Sequence, residues 1–364
     1  MRTTGKKGHL LLAGVMLASV LAACGSDTKT ASSTAAPTTV GGSTTTAATG
    51  STTTAPGGVT TTAASTGTTA CKTPSGDAIK LAVNPWTGSA VNAYVAKSVI
   101  ECNLGTPVTI VNIDENATWV GLDKGSLDAV LEVWPSGHAA DYETYVTQKK
   151  SVVDIGKLGP SAQIGWYIPK YVLDAHPSLA TWEGFKDPAL AKLFATAESG
   201  DLGQFLMGDP SYVSYDKQII ASLKLPLKYV VAGSEAALLT AMDKAVASKT
   251  PILLQFWQPH WKWATGLQFE RVKLPDVTDA CKAAAAAGGD GYACDYPIDE
   301  LYKAASAKLQ TKNAAVFGVL SKLALTTDQQ NLIASYVDSD KMTAAAAAQK
   351  WVDANKAVWS AWLG

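Results

Sequence analysis

From residue 78 onward, short apolar runs alternate with longer stretches of helical period. "AIKLAVNPW" and "PVTIVNI" read as strands. Between them "SAVNAYVAKSVIECNL" repeats its apolar residues at helical spacing. A helix around Trp119 and the strand "LDAVLEVW" follow, and after residue 160 the rhythm resumes with "IGWYIP", "LKYVVAG" and "PILLQFW". Strands separated by helices predict an α/β fold built on a mostly parallel sheet. From Pro297 to the end the chain reads as helical. There "AAAAAQKWVDANKAVWSAWL" sets Trp351, Ala354, Val358 and Trp362 on one helix face, a stripe expected to pack in the core.

The N-terminus has a different pattern. Arg2, Lys6 and Lys7 precede an apolar run over residues 10–23, too short to span a bilayer and suited to a signal peptide over residues 1–23. The run ends in "LAAC", a lipobox-like end that makes Cys24 the expected site of lipidation. Residues 25–70 are almost wholly Thr, Ser, Ala, Gly and Pro, which predicts a disordered tether because so little apolar surface can offset the entropy of ordering. A coil of that length averages roughly 35–40 Å end to end. The chain is therefore expected at the outer face of the cytoplasmic membrane, held by lipid rather than by a spanning helix. Residues 71–364 have a globular composition and are long enough for two lobes.

Charge and cysteines narrow the picture. With 30 basic and 31 acidic residues the formal net charge is −1, so neither nucleic acid nor an anionic lipid surface is an expected partner. Beyond Cys24 there are four cysteines, Cys71, Cys102, Cys281 and Cys294. In an exported chain an even number predicts two disulfides, with three possible connectivities. The local pairs Cys71–Cys102 and Cys281–Cys294 are favoured. Zinc is the rival, but neither CxxC nor HxxxH spacing occurs, and no metal or cofactor is expected. Past the signal only His138, His176 and His260 remain, and no GxSxG, P-loop, GxGxxG or HExxH is present, which argues against an enzyme.

Two strand ends stand out. "LEVWPSGH" and "LQFWQPHW" each deliver a tryptophan, Trp134 and Trp257, where a proline soon stops the strand. Ligands of open sheets bind beyond the carboxyl ends of strands, so the two indoles are placed to face one another across a cleft. Indole faces attract cations, at roughly 0.5–2 kcal/mol per desolvated face, and suit a quaternary ammonium that has no N–H to donate. Thr87, Gly88 and Ser89 lie where a strand turns into a helix, a place that favours a carboxylate but is equally an ordinary helix cap. His260 is either a further donor to that carboxylate or a packed, hydrogen-bonded side chain. Glu132, two residues before Trp134, shares its strand face and is expected to be outward and solvated.

Taken together and in order, "LAVNPWTGSAVNAYVAKSVIE", "GSLDAVLEVWP", "WEGFKDPALAKLF", "GDPSY", "PILLQFWQPHW" and "AAQKWVDANKAVWSAWL" resemble the substrate-binding proteins of glycine betaine/proline-type osmoprotectant ABC importers, over nearly all of 71–364. The resemblance implies a two-lobed type II periplasmic-binding-protein fold with the ligand between the lobes. Lobe one would be discontinuous (71–164 plus 273–364) and lobe two would be 165–272, with crossings near residues 159–165 and 273–276. It implies Trp134, Tyr212 and Trp257 as the walls of an aromatic cage. Trp86 is either a fourth wall or strand packing, and Trp261 and Trp263 are packing. An ABC permease and its ATPase are the implied partners. Glycine betaine is the first candidate ligand; a tyrosine at 212, where the family often has tryptophan, leaves choline, carnitine and proline betaine open.

Overall fold

A computed structural model of the protein describes residues 71–364. The expected signal peptide, the lipidated Cys24 and the tether lie outside the described residues. The strands are β1 (Ile79–Val83), β2 (Val108–Asn112), β3 (Ala129–Val133), β4 (Val152–Pro169), β5 (Gly203–Met207), β6 (Leu227–Val231), β7 (Leu253–Gln258), β8 (Phe269–Val272) and β9 (Asp299–Ser306). They hydrogen-bond in the order β2-β1-β3-β9-β4-β7-β5-β6, with β8 also on β4. Helices α1 (Thr87–Leu104) and α2 (Glu115–Lys124) connect β1 to β2 and β2 to β3.

The expected mostly parallel sheet is in fact mixed. Pairings at the two ends, β1 with β2 and β3, and β5 with β6 and β7, are parallel, as βαβ units require. All pairings in the middle are antiparallel. The cause is β4, a single 18-residue strand. Its first half, from Val152 to Ala162, pairs with β9. From Gln163 onward it pairs with β7 and β8. One strand thus belongs to both halves of the molecule, and β9 returns beside it. Cys281, Tyr292, Cys294 and Tyr296 share an apolar cluster with Trp166, Phe185 and Phe205 of the second half, although residues 273–364 were expected in lobe one.

Residues 299–306, expected to be helical, form β9 instead. Every residue of β9 except Glu300 is buried, because neighbouring strands hold both edges and other elements cover both faces. Such a strand has no polar alternation, so nothing in its pattern separates it from a buried helix. Lys303 lies fully buried in it. Its Nζ donates to the carbonyls of Leu320 (2.9 Å), Ser321 (3.0 Å) and Leu323 at the end of the helix Ala314–Lys322, and burial draws its pKa down to about 8.

The C-terminal stripe is also broken. One helix stops at Ala354, and a short turn, Lys356–Trp359, follows. Trp351 and Trp362 still meet, stacked at 6.4 Å in the core, but Ala354 is exposed and Val358 half-buried. Both disulfides form as paired from the sequence, Cys71–Cys102 and Cys281–Cys294.

Candidate functional site: an aromatic cavity between two strand ends

Trp134 directly follows β3, and Trp257 is the penultimate residue of β7. The peptide Gln258–Pro259 beyond it is cis. Tyr212 is set by the turn before it, where Asp209 Oδ1 accepts the Ser211 N–H (2.9 Å) and hydroxyl (2.7 Å). Its ring lies over Gly208, where a Cβ would come within 2.8 Å of Tyr212 Cε2, so only glycine leaves room. The Tyr212 hydroxyl donates to the Pro85 carbonyl at 3.0 Å. Burial, together with nearby carboxylates, raises its pKa, which keeps the phenol a donor. Its ring meets Trp86 edge-on at 5.9 Å and Trp257 edge-on at 5.6 Å.

Trp86, Trp134, Tyr212 and Trp257 therefore line one cavity, which Glu115, Gly137, Ile164, Val213 and Gln255 complete. Trp86, open to either role in the sequence, is brought into this ring of aromatics. The three tryptophans are 7–8% exposed, which is buried overall while each still presents a face to the cavity. Trp261 donates its indole N–H to Asp338 (2.6 Å), and Trp263 donates to the Trp257 carbonyl (2.9 Å).

Glu132, expected to be solvated, is buried at 2% exposure. All of β3 is buried, so neither of its faces meets water. Glu132 Oε1 accepts the indole N–H groups of Trp86 (2.7 Å) and Trp134 (3.0 Å). Its Oε2 accepts Asn92 Nδ2 (2.7 Å) and Gln330 Nε2 (2.8 Å). Burial pushes the carboxyl up to about 7, and these donors pull it back toward ionisation. The arrangement ties two cavity walls to one carboxylate.

Glu115 opens α2 and is nearly buried at the cavity wall. Its Oε1 accepts the Val213 N–H (3.0 Å) and its Oε2 meets His138 Nε2 (2.7 Å). His138 Nδ1 lies 2.9 Å from Asp141 Oδ2. Burial pulls the His138 pKa down, and the two carboxylates outweigh it, lifting it to about 9. Gln255 donates to Asp216 (3.0 Å).

At the helix start offered by Thr87, Gly88 and Ser89, the Thr87 N–H and hydroxyl and the Ser89 hydroxyl are bonded within the protein. Glu235 Oε2 accepts both the Thr87 N–H (2.8 Å) and its hydroxyl (3.0 Å). His260 Nδ1 accepts the Lys262 N–H (3.0 Å), so its Nε2 carries the proton and donates to Glu235 Oε1 (2.9 Å). Ser89 Oγ accepts the Asn84 N–H (3.0 Å). A Cβ at Gly88 would lie 2.7 Å from Gln330 Nε2 and 3.0 Å from Glu132 Oε2, so glycine here makes room for the Glu132 cluster. The sequence reading missed Glu115, Glu235, His138 and Gln330. The one signal available was that Glu115 and Glu235 each open a helix near a strand end.

A two-part mixed α/β sheet joined by one long strand is the architecture of type II periplasmic-binding-protein structures. Residues 77–354 match the family described as the substrate binding domain of ABC-type glycine betaine transport systems, and the chain belongs to that family. These are binding components of importers, not enzymes. The trimethylamine N-oxide-binding protein of Pelagibacter ubique (strain HTCC1062) is 29% identical over 287 residues, covering 78% of this chain and 89% of that protein. Among solved structures, lactococcal OpuAC, complexed with glycine betaine in its closed-liganded conformation, superposes with a TM-score of 0.62 at 16% identity. The match covers 79% of this chain and 100% of that one. A choline-binding protein in complex with choline gives 0.62 at 18% identity, over 79% and 91% of the two chains. The glycine betaine/L-proline-binding protein of Borrelia burgdorferi gives 0.65 at 17%, over 79% and 97%. At these identities the structural likeness establishes the fold alone.

Proposed function

We propose that this chain captures a small trimethylammonium compound in the cavity walled by Trp86, Trp134, Tyr212 and Trp257, and hands it to an ABC permease while anchored to the membrane through Cys24. The observation that carries this reading is the convergence of four aromatic rings on one cavity whose charged lining residue is an acid, Glu115. Three desolvated faces supply about 2–6 kcal/mol toward a cation. Glu132, pushed up to about 7, adds a negative charge behind two of the indoles in its ionised form. The ligands of the named relatives (glycine betaine, choline and trimethylamine N-oxide) share the trimethylated nitrogen that such a cage selects. We further propose that residues 71–164 plus 273–364 and residues 165–272 move as two lobes about β4, closing on the ligand. On this reading Trp261 and Trp263 support the walls.

Calorimetric titration of Trp134→Ala, Tyr212→Ala and Trp257→Ala tests the assignment. Each should lose about 1–3 kcal/mol of ligand binding with little change in melting temperature. Trp351→Ala, in the core, should cost about 3–5 kcal/mol of stability while the folded protein still binds. Cage variants that collapse stability yet bind normally once folded would show the rings to be core.

A further inference from the structure

We infer that Glu235 fills the carboxylate end of this cleft, so that the chain takes trimethylammonium ligands without a carboxylate and discriminates against glycine betaine. This deepens the proposed cage and rests on it. A second, smaller cavity shares Trp86 and Trp257 with the cage, and Thr87, Glu235 and His260 line it. It adjoins the cage, so a carboxylate extending toward α1 from an ammonium held in the cage would enter it. Two kinds of donor suit an anion there: the free N–H at the start of α1 and the ring of His260. Of these, the Thr87 N–H and the His260 ring are taken by Glu235, at 2.8 Å and 2.9 Å. The tautomer leaves His260 nothing more to give, since its Nδ1 already accepts the Lys262 N–H.

A second acid stands at the same point. Thr87 Oγ1 lies 3.0 Å from Glu235 Oε2 and 3.1 Å from Asp338 Oδ1, and one hydroxyl proton serves only one of them at a time. Burial and the charge of Glu235 raise the Asp338 pKa. A ligand carboxylate would arrive as a third anion beside these two. Among the described residues lining the two cavities, His260 is the one basic side chain, and Glu235 already holds it. A choline-like ligand, or tetramethylammonium itself, brings no such charge.

The test is calorimetric titration of the full chain and of Glu235→Gln with tetramethylammonium, choline, trimethylamine N-oxide and glycine betaine. In the wild-type protein the tightest carboxylate-free ligand should bind at least tenfold more tightly than glycine betaine. Glu235→Gln should narrow that ratio at least fivefold. Glycine betaine binding as tightly as the others to the wild-type protein would overturn the inference and leave the cage standing. An unchanged ratio in folded Glu235→Gln would overturn the role of Glu235. If no member of the panel binds, the cage itself is wrong and the inference falls with it. The wild-type ranking decides the matter even if the variant does not fold.

Discussion

The two strand ends, "LEVWPSGH" and "LQFWQPHW", run in parallel further than their letters suggest. Each supplies a tryptophan wall, a proline and a histidine, and each histidine holds a glutamate that opens a helix: His138 with Glu115 at 2.7 Å, His260 with Glu235 at 2.9 Å. Each glutamate then reaches the opposite half, Glu115 to the Val213 N–H and Glu235 to the Thr87 N–H. They differ in how the histidine is flanked and in how the wall is held. His138 Nδ1 faces Asp141 as well as the Trp119 indole N–H, and its two acids lift it to about 9, whereas His260 Nδ1 meets only the backbone N–H of Lys262. Trp134 is tied by its indole N–H to Glu132, while Trp257 is steadied by rings, with Phe256 at 4.9 Å and His260 at 5.4 Å. The same residue types thus build a charge-anchored wall on one side and a packed wall on the other.

Removing the anchor should produce the largest effect. Glu132→Ala leaves the N–H donors of Trp86, Trp134, Asn92 and Gln330 without their buried acceptor. Stability should fall by about 3–5 kcal/mol, as for breaking a buried charged network. Chemical denaturation measures it, and a loss below about 1 kcal/mol would mean the walls hold themselves. No single polar residue at β7 should have an equal effect on Trp257.

The paired histidines should separate by pH. The folded value of His138, about 9, lies above its ordinary 6.5. Its stabilisation is therefore fully present below about pH 6.5 and is lost as pH rises through 9, on the order of 3 kcal/mol at most. Melting temperature between pH 6.5 and 8, below the range where buried Lys303 acts in the opposite sense, should fall for the wild-type protein and fall less for His138→Gln. An unchanged slope in that variant would place the titration elsewhere.

A subtler substitution separates charge from shape. Asn92 Oδ1 and Gln330 Oε1 are buried without partners. If both amides turn over, they become acceptors for the amide of Glu132→Gln, while its oxygen keeps the two indoles. Stability should therefore move by less than about 1.5 kcal/mol. Cation binding should weaken by about 1–2 kcal/mol, since a negative charge behind two ring faces is gone. Titration with tetramethylammonium measures it. Unchanged affinity would limit Glu132 to positioning.

These comparisons show where sequence reading worked and where it failed. Trp134 and Trp257 were legible because a strand followed at once by proline marks a sheet's mouth, a local signal. Tyr212 became visible only through resemblance, since "GDPSY" has no periodicity that points to a cavity. β9 was lost because a strand buried on all sides has the apolar continuity of a helix. Glu132 was misplaced for the same reason: in the wholly buried β3 there is no solvent side for it to face. The role of Glu235 depends on a contact with Thr87 across 148 residues, which no local pattern records.

The central claim is that aromatic faces hold a cation, and the most direct measurement compares choline with 3,3-dimethylbutan-1-ol, its uncharged carbon isostere, by calorimetry on the wild-type protein. The two share shape and hydroxyl, so apolar contact is matched and only the charge differs. With Trp86, Trp134, Tyr212 and Trp257 around the ligand, choline should bind at least tenfold more tightly, about 1.4 kcal/mol or more. Equal affinity for the two would contradict the account, because the cavity would then be recognising a tert-butyl shape and not a charge.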